Sequence, residues 1–124
     1  MHKSRFAGFI IDCQGDDLAE AERFWGQALG YDALPAREGD RYVTFRTAPD
    51  QPYLELQRVT HPSRVHIDIE ADDVAAEVAR LEALGATRVG QVKDWCVMEA
   101  PTGHRFCVVP VVRADFDDKA NTWS

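Results

Sequence analysis

The chain carries the same pattern twice. Asp16-Asp17-Leu18-Ala19-Glu20-Ala21-Glu22-Arg23-Phe24-Trp25-Gly26-Gln27-Ala28-Leu29-Gly30 is answered by Asp72-Asp73-Val74-Ala75-Ala76-Glu77-Val78-Ala79-Arg80-Leu81-Glu82-Ala83-Leu84-Gly85. An apolar run precedes each copy, Phe9-Ile10-Ile11-Asp12 in one case and Val65-His66-Ile67-Asp68 in the other. Further along, Val43 to Pro49 lines up with Trp95 to Pro101. A unit repeated at roughly fifty residues constrains the fold more tightly than any single residue does. Each copy alone would be marginal in size, so a core shared by both is the expected folding unit. Positions that match by repeat are expected near a pseudo-symmetry axis.

Periodicity gives each copy the order β-α-β-β-β. Phe6 to Asp12 is rich in aromatic and β-branched residues and reads as a strand. Asp17 with Glu20 resembles a capping box. Leu18, Ala21, Phe24, Trp25, Ala28 and Leu29 follow at helical spacing, and Gly30 suits the residue after a helix. Tyr31 to Leu34 reads as a short strand, Pro35 to Asp40 as a polar loop, and Arg41 to Thr47 and Tyr53 to Val59 as strands. His61-Pro62-Ser63 connects the copies. The second copy gives a strand over Val65 to Glu70, then a helix capped by Asp72 or Asp73 and ending at Gly85. Strands follow over Thr87 to Val92, Trp95 to Glu99 and Phe106 to Val112, with Pro110 near the frayed end of the last. The first module spans about residues 5–60 and the second about 64–112, within one domain. Residues 113–124, with Asp115, Asp117 and Asp118, read as a solvated polar tail, in which Trp123 either docks or stays disordered.

Charge and cysteine usage exclude several classes. A net charge of −7 argues against nucleic acid, which rewards clustered Lys and Arg. No apolar run reaches the length of a membrane span, and the stretch after Met1 to Arg5 is too short for a signal peptide. Cys13, Cys96 and Cys107 form neither an even disulfide set nor a CxxC pair. Reduced thiols and a cytoplasmic location are the expectation. A Gly-rich phosphate loop, a GxSxG elbow and an HExxH helix are all missing from the sequence.

Ile11-Asp12-Cys13, Asp16-Asp17, Phe24-Trp25 and Leu29-Gly30-Tyr31 together resemble the opening of glyoxalase-like domains. These belong to the vicinal oxygen chelate superfamily, with glyoxalase I, bleomycin-resistance proteins and extradiol dioxygenases. Val65 to Asp68, Leu84-Gly85-Ala86, Ala100-Pro101-Thr102-Gly103 and Phe106 to Val109 fit the same pattern. The resemblance implies an α+β fold: two βαβββ modules forming a cupped, mostly antiparallel eight-stranded sheet around a central cavity. In metal-using members the ligands come from the first and last strands of both modules. Carried over one position at a time, they fall on Ile10, Glu55, His66 and Cys107, with Phe9 or Gly8 in place of Ile10 if the register is shifted. Ile10 offers no donor atom. Glu55 and His66 suit Zn, Fe, Mn or Ni, and Cys107 stands where the family places a carboxylate.

Two functional readings follow. In the first, the chain binds an apolar or aromatic small molecule, its metal site degenerate or absent. Tyr42, Phe45, Tyr53, Trp95 and Cys107 line the cavity, and Glu55 and His66 orient the ligand. In the second, Glu55 and His66 hold a divalent ion in a lyase, isomerase or dioxygenase of the glyoxalase type, or Glu55 moves a proton without metal. Each residue also has a plainer reading: His66, Cys107 and the aromatics as core, Glu55 as a solvated outer face. Asp12 and Asp68 repeat each other, which reads as a structural role at strand ends. Exposed sheet edges in such a fold make a homodimer the expected assembly.

Overall fold

The computed structural model describes residues 1–35 and 40–124. These residues form eight strands and three helices in an α+β arrangement. The order is β1 (His2–Gln14), α1 (Ala19–Leu29), β2 (Tyr42–Thr44), β3 (Tyr53–Val59), β4 (Arg64–Ala71), α2 (Val74–Ala83), β5 (Thr87–Val92), β6 (Trp95–Glu99), β7 (Arg105–Pro110), α3 (Phe116–Lys119) and β8 (Asn121–Trp123). Residues 36–39 of the expected loop lie outside the described residues. The chain divides into two compact units, Gly8–Val65 and a second made of Met1–Ala7 with His66–Ser124.

In the unit Gly8–Val65, β3 is central. It runs parallel to β1, with Ile10 opposite Glu55 and Asp12 opposite Gln57, and antiparallel to β2, with Thr44 opposite Glu55. The strand expected over Tyr31 to Leu34 shrinks to a single bridge between Ala33 and Phe45. Leu18, Val43, Phe45 and Leu56 form the core, with Ile11, Cys13, Ala21, Trp25 and Leu54 packed against it. Only Ala21 and Trp25 of α1 reach that core. Phe24 and Leu29, expected on the same face, are exposed, and the Phe24 ring meets Trp25 edge-on at 5.0 Å. Phe24 sits about 100° around the helix from Trp25, at the edge of the apolar stripe, and the sheet covers only the side that carries Ala21 and Trp25. The capping box does not form. Helix α1 starts after Leu18, and the Asp17 carboxylate accepts from the Ala19 N–H at 3.0 Å, an Asx turn just ahead of the helix. Gly30 ends α1 in the left-handed region at φ 76°.

The second unit repeats this plan more regularly. β7 runs parallel to β4 and antiparallel to β6, which pairs in turn with β5. Asp73 caps α2 by accepting from the Ala76 N–H at 3.0 Å. Val78 and Leu81 of α2 pack on Ala71, Cys96, Met98, Phe106 and Val108, one face of the sheet. Strand alternation places the intervening residues on the other face.

The expected solvated tail is instead folded onto this unit. Phe116 is 2% exposed, and β8 pairs antiparallel with β1, His2 opposite Trp123. Two buried carboxylates explain the attachment. Glu70 accepts from Arg5 Nε at 2.8 Å and from the Val112 and Arg113 N–H groups at 2.8 and 2.9 Å. Arg5 also donates to Asp115 at 2.6 Å, which holds the Asp115 carboxyl below its usual range. Glu77 accepts from His2, Ser4 and both Arg80 nitrogens at 2.7–2.9 Å. Trp123 donates its indole N–H to Ser4 at 2.8 Å, while the Arg80 guanidinium lies 3.9 Å over its ring. Charges of this kind, left unpartnered, would cost several kcal/mol each, so they tie residues 1–7 and 112–123 to the body of the unit.

Candidate functional site

Each unit has one sheet face packed against its helix and one turned away from it. The face turned away carries the polar residues. In the unit Gly8–Val65 it is built from Tyr42 and Thr44 on β2 and from Tyr53, Glu55 and Gln57 on β3. All five are half-buried. Thr44 Oγ1 donates to Glu55 Oε2 at 2.8 Å, and Gln57 Nε2 donates to the Tyr42 hydroxyl at 3.1 Å. The neighbouring strand thus holds the Glu55 carboxylate in one orientation. The Tyr53 ring lies directly over Gly8, where no side chain intervenes. Tyr42 also borders a shallow depression of about 170 Å³ with Asp16, Asp17, Asp40 and Arg58. That volume is below the roughly 300 Å³ at which organic-ligand pockets begin. Phe45 is 2% exposed and packs inside the core with Leu18, Val43 and Leu56.

In the second unit the corresponding face carries His66, Asp68, Cys107, Trp95 and Val97. His66 and Asp68 are two residues apart on β4 and therefore project to the same side. The parallel register sets Asp68 beside Cys107 on β7, and Cys107 in turn stands opposite Val97 on β6. One ligand atom from each of His66, Asp68 and Cys107 lies within 4.8 Å of the other two. His66 Nε2 is 3.8 Å from Asp68 Oδ1, with the two side chains 11% and 9% exposed. Cys107 and Trp95 are half-buried. One pleat along, Arg105 is engaged by Glu99 at 3.1 Å.

Two of these three residues, His66 and Cys107, are carried-over positions. Asp68 was expected to be structural because it repeats Asp12. The repeats differ in their surroundings: Asp12 faces Arg64 at 3.6 Å, whereas Asp68 shares its face with an imidazole and a thiol. The signal was present in the alternation of His66-Ile67-Asp68. A second difference concerns register. Matching the two turns pairs Cys107 with Glu55, yet Glu55 stands opposite Ile10 while Cys107 stands opposite Asp68. With Ile10 taken as the counterpart of His66, Cys107 falls one pleat beyond the counterpart of Glu55.

A glyoxalase-like domain model matches residues 8–109, and the chain belongs to that family, within the vicinal oxygen chelate superfamily. No curated protein sequence matches it. Among solved structures it is similar to a glyoxalase/bleomycin resistance protein/dioxygenase superfamily member from Vibrio splendidus 12B01, at TM-score 0.57 and 14% identity over 87% of this chain and 99% of that one. It is also similar to the Mn(II)-bound glyoxalase from Novosphingobium aromaticivorans, at TM-score 0.59 and 19% identity over 86% of this chain and 40% of that one. Methylmalonyl-CoA epimerase from Mycobacterium tuberculosis aligns at TM-score 0.61 and 11% identity, over 86% of this chain and 87% of that one. These likenesses establish the fold. No described helix is long and apolar enough to cross a membrane.

A divalent ion held as the family resemblance implies would need donors at Ile10, Glu55, His66 and Cys107. Ile10 is 3% exposed and presents only hydrocarbon, so this four-position centre does not fit the chain. The second unit offers a different set, an imidazole, a carboxylate and a thiol, from residues of its own.

Proposed function

We propose that this protein binds a small apolar or aromatic molecule and that its family-type metal centre has degenerated. The observation that carries this reading is the buried Ile10 side chain at the first carried ligand position, in register with Glu55. A buried aliphatic group there takes away a donor that the family-type centre needs. Glu55, fixed by Thr44, and His66, beside Asp68, are the polar groups that would orient the ligand. Tyr42, Tyr53 and Trp95 supply half-buried aromatic surface on the sheet faces turned away from α1 and α2. The net charge of −7 favours a cationic ligand. The test is a native mass spectrum of freshly purified protein. One retained organic molecule per chain is expected, lost in Glu55→Gln and His66→Ala. One bound ion per chain that disappears in both variants would overturn the reading.

A second reading, a metal-dependent lyase, isomerase or dioxygenase using Glu55 and His66, draws support from the proximity of His66, Asp68 and Cys107. It requires both Glu55→Gln and His66→Ala to abolish turnover with the fold intact. A cytoplasmic location and a homodimer complete the proposal. The homodimer is supported by β5, exposed along all six residues. A monomer in sedimentation at micromolar concentration would remove it.

A further inference from the structure

We propose that His66, Asp68 and Cys107 form a three-donor site for a thiophilic divalent ion, zinc(II) foremost, held by the second βαβββ module alone. This site is not the family arrangement. It replaces Glu55 by Asp68 and needs nothing from the unit Gly8–Val65. It also stands independently of any organic ligand.

Three observations converge. The first is placement. Strand alternation and the parallel β4–β7 register put an imidazole, a carboxylate and a thiol on one patch of one sheet, with ligand atoms within 4.8 Å of one another. A tetrahedral ion bonded to nitrogen and oxygen at about 2.0–2.1 Å separates them by roughly 3.3–3.4 Å, so the 3.8 Å between His66 Nε2 and Asp68 Oδ1 needs to close by only about 0.4 Å, within reach of a side-chain rotation. The second is shielding. His66 and Asp68 are about nine-tenths buried on rigid strands while Cys107 is half-buried, a setting that holds three donors and leaves a fourth position to water. The third is donor chemistry. A thiolate selects zinc and cobalt over manganese, magnesium and calcium, which prefer oxygen. Coordination by Cys107 releases its thiol proton to solvent, so affinity rises with pH.

Cobalt(II) reads the site directly. Titration of the reduced, metal-stripped full chain is expected to give one equivalent of tetrahedral cobalt with a near-ultraviolet thiolate-to-cobalt charge-transfer band, displaced by zinc. Cys107→Ser removes that band and Asp68→Asn weakens cobalt binding at least tenfold, both with unchanged far-ultraviolet circular dichroism. Cys13→Ser keeps the band. Absence of the band in the wild type, its survival in Cys107→Ser, or its loss in Cys13→Ser would each overturn the proposal. Loss of cobalt binding in Glu55→Gln would also overturn it, by transferring the ion to the family arrangement.

Discussion

Replacing Glu77 by glutamine removes the charge at the centre of the network that holds residues 2–4 and Trp123 in place. The carboxylate is fully buried, and burial by itself would raise its pKa. Hydrogen bonds from Arg80, His2 and Ser4 outweigh that effect and lower it from 4.5 to about 2. At about 1.4 kcal/mol per pH unit, this depression corresponds to about 3 kcal/mol of stability at neutral pH. Because the folded-state pKa lies below the unfolded one, the unfolded chain binds the proton more readily between these values. The stabilisation is therefore complete above pH 4.5 and is lost as pH falls towards 2. By pH 3, about 2 kcal/mol of it is gone. Glu77→Gln preserves the shape but turns an amide towards the Arg80 guanidinium. It is expected to cost about 3 kcal/mol at pH 7 and only about 1 kcal/mol at pH 3. Urea unfolding followed by circular dichroism at the two pH values measures both gaps. A wild-type-to-variant gap that does not change with pH would refute the assignment of this stability to the Glu77 charge.

Two other substitutions probe the packing that positions the candidate site. Gly8→Ala places a Cβ 2.6 Å from the Tyr53 carbonyl oxygen and against its ring, so a loss of about 1–3 kcal/mol is expected in urea unfolding. A neutral result would mean that β1 and β3 can separate without cost. Phe116→Ala empties a site that is 2% exposed and is expected to cost about 3–5 kcal/mol. A change below about 0.5 kcal/mol, the range of ordinary surface substitutions, would return the segment after Arg113 to a solvated end.

The duplication was legible because each copy punctuates its helix in the same way, with acidic pairs before it and glycine after it. Tyr53 to Val59, Thr87 to Val92 and Trp95 to Glu99 match their strands end to end. What escaped the sequence is non-local. Arg5, Glu70 and Asp115 are far apart in sequence, and nothing about any one of them announces an ion pair, so the tail looked solvated. Trp123 was equally unreadable, since its partner Ser4 lies at the opposite end of the chain. Phe24 shows the limit of helical periodicity, which marks an apolar stripe but not how wide a stripe the neighbouring sheet can cover. Of the candidate site, the positions of Glu55, His66 and Cys107 came from the family pattern. Asp68 was obscured by the repeat itself, because likeness to Asp12 pointed to a shared structural role. The two aspartates diverge because the residue two places before each is Ile10 in one copy and His66 in the other.

The pairing of His2, Lys3 and Ser4 with Trp123, Thr122 and Asn121 sets the order in which the molecule can be completed during translation. On the ribosome, Gly8–Val65 emerges with its core residues already in hand and can close early. Residues 1–7 belong to the other unit, and three of them pair with β8, which is made after every other described strand. Residues 2–4 therefore lack one pairing partner until β8 has been made, an edge left open while the strands between them are synthesised.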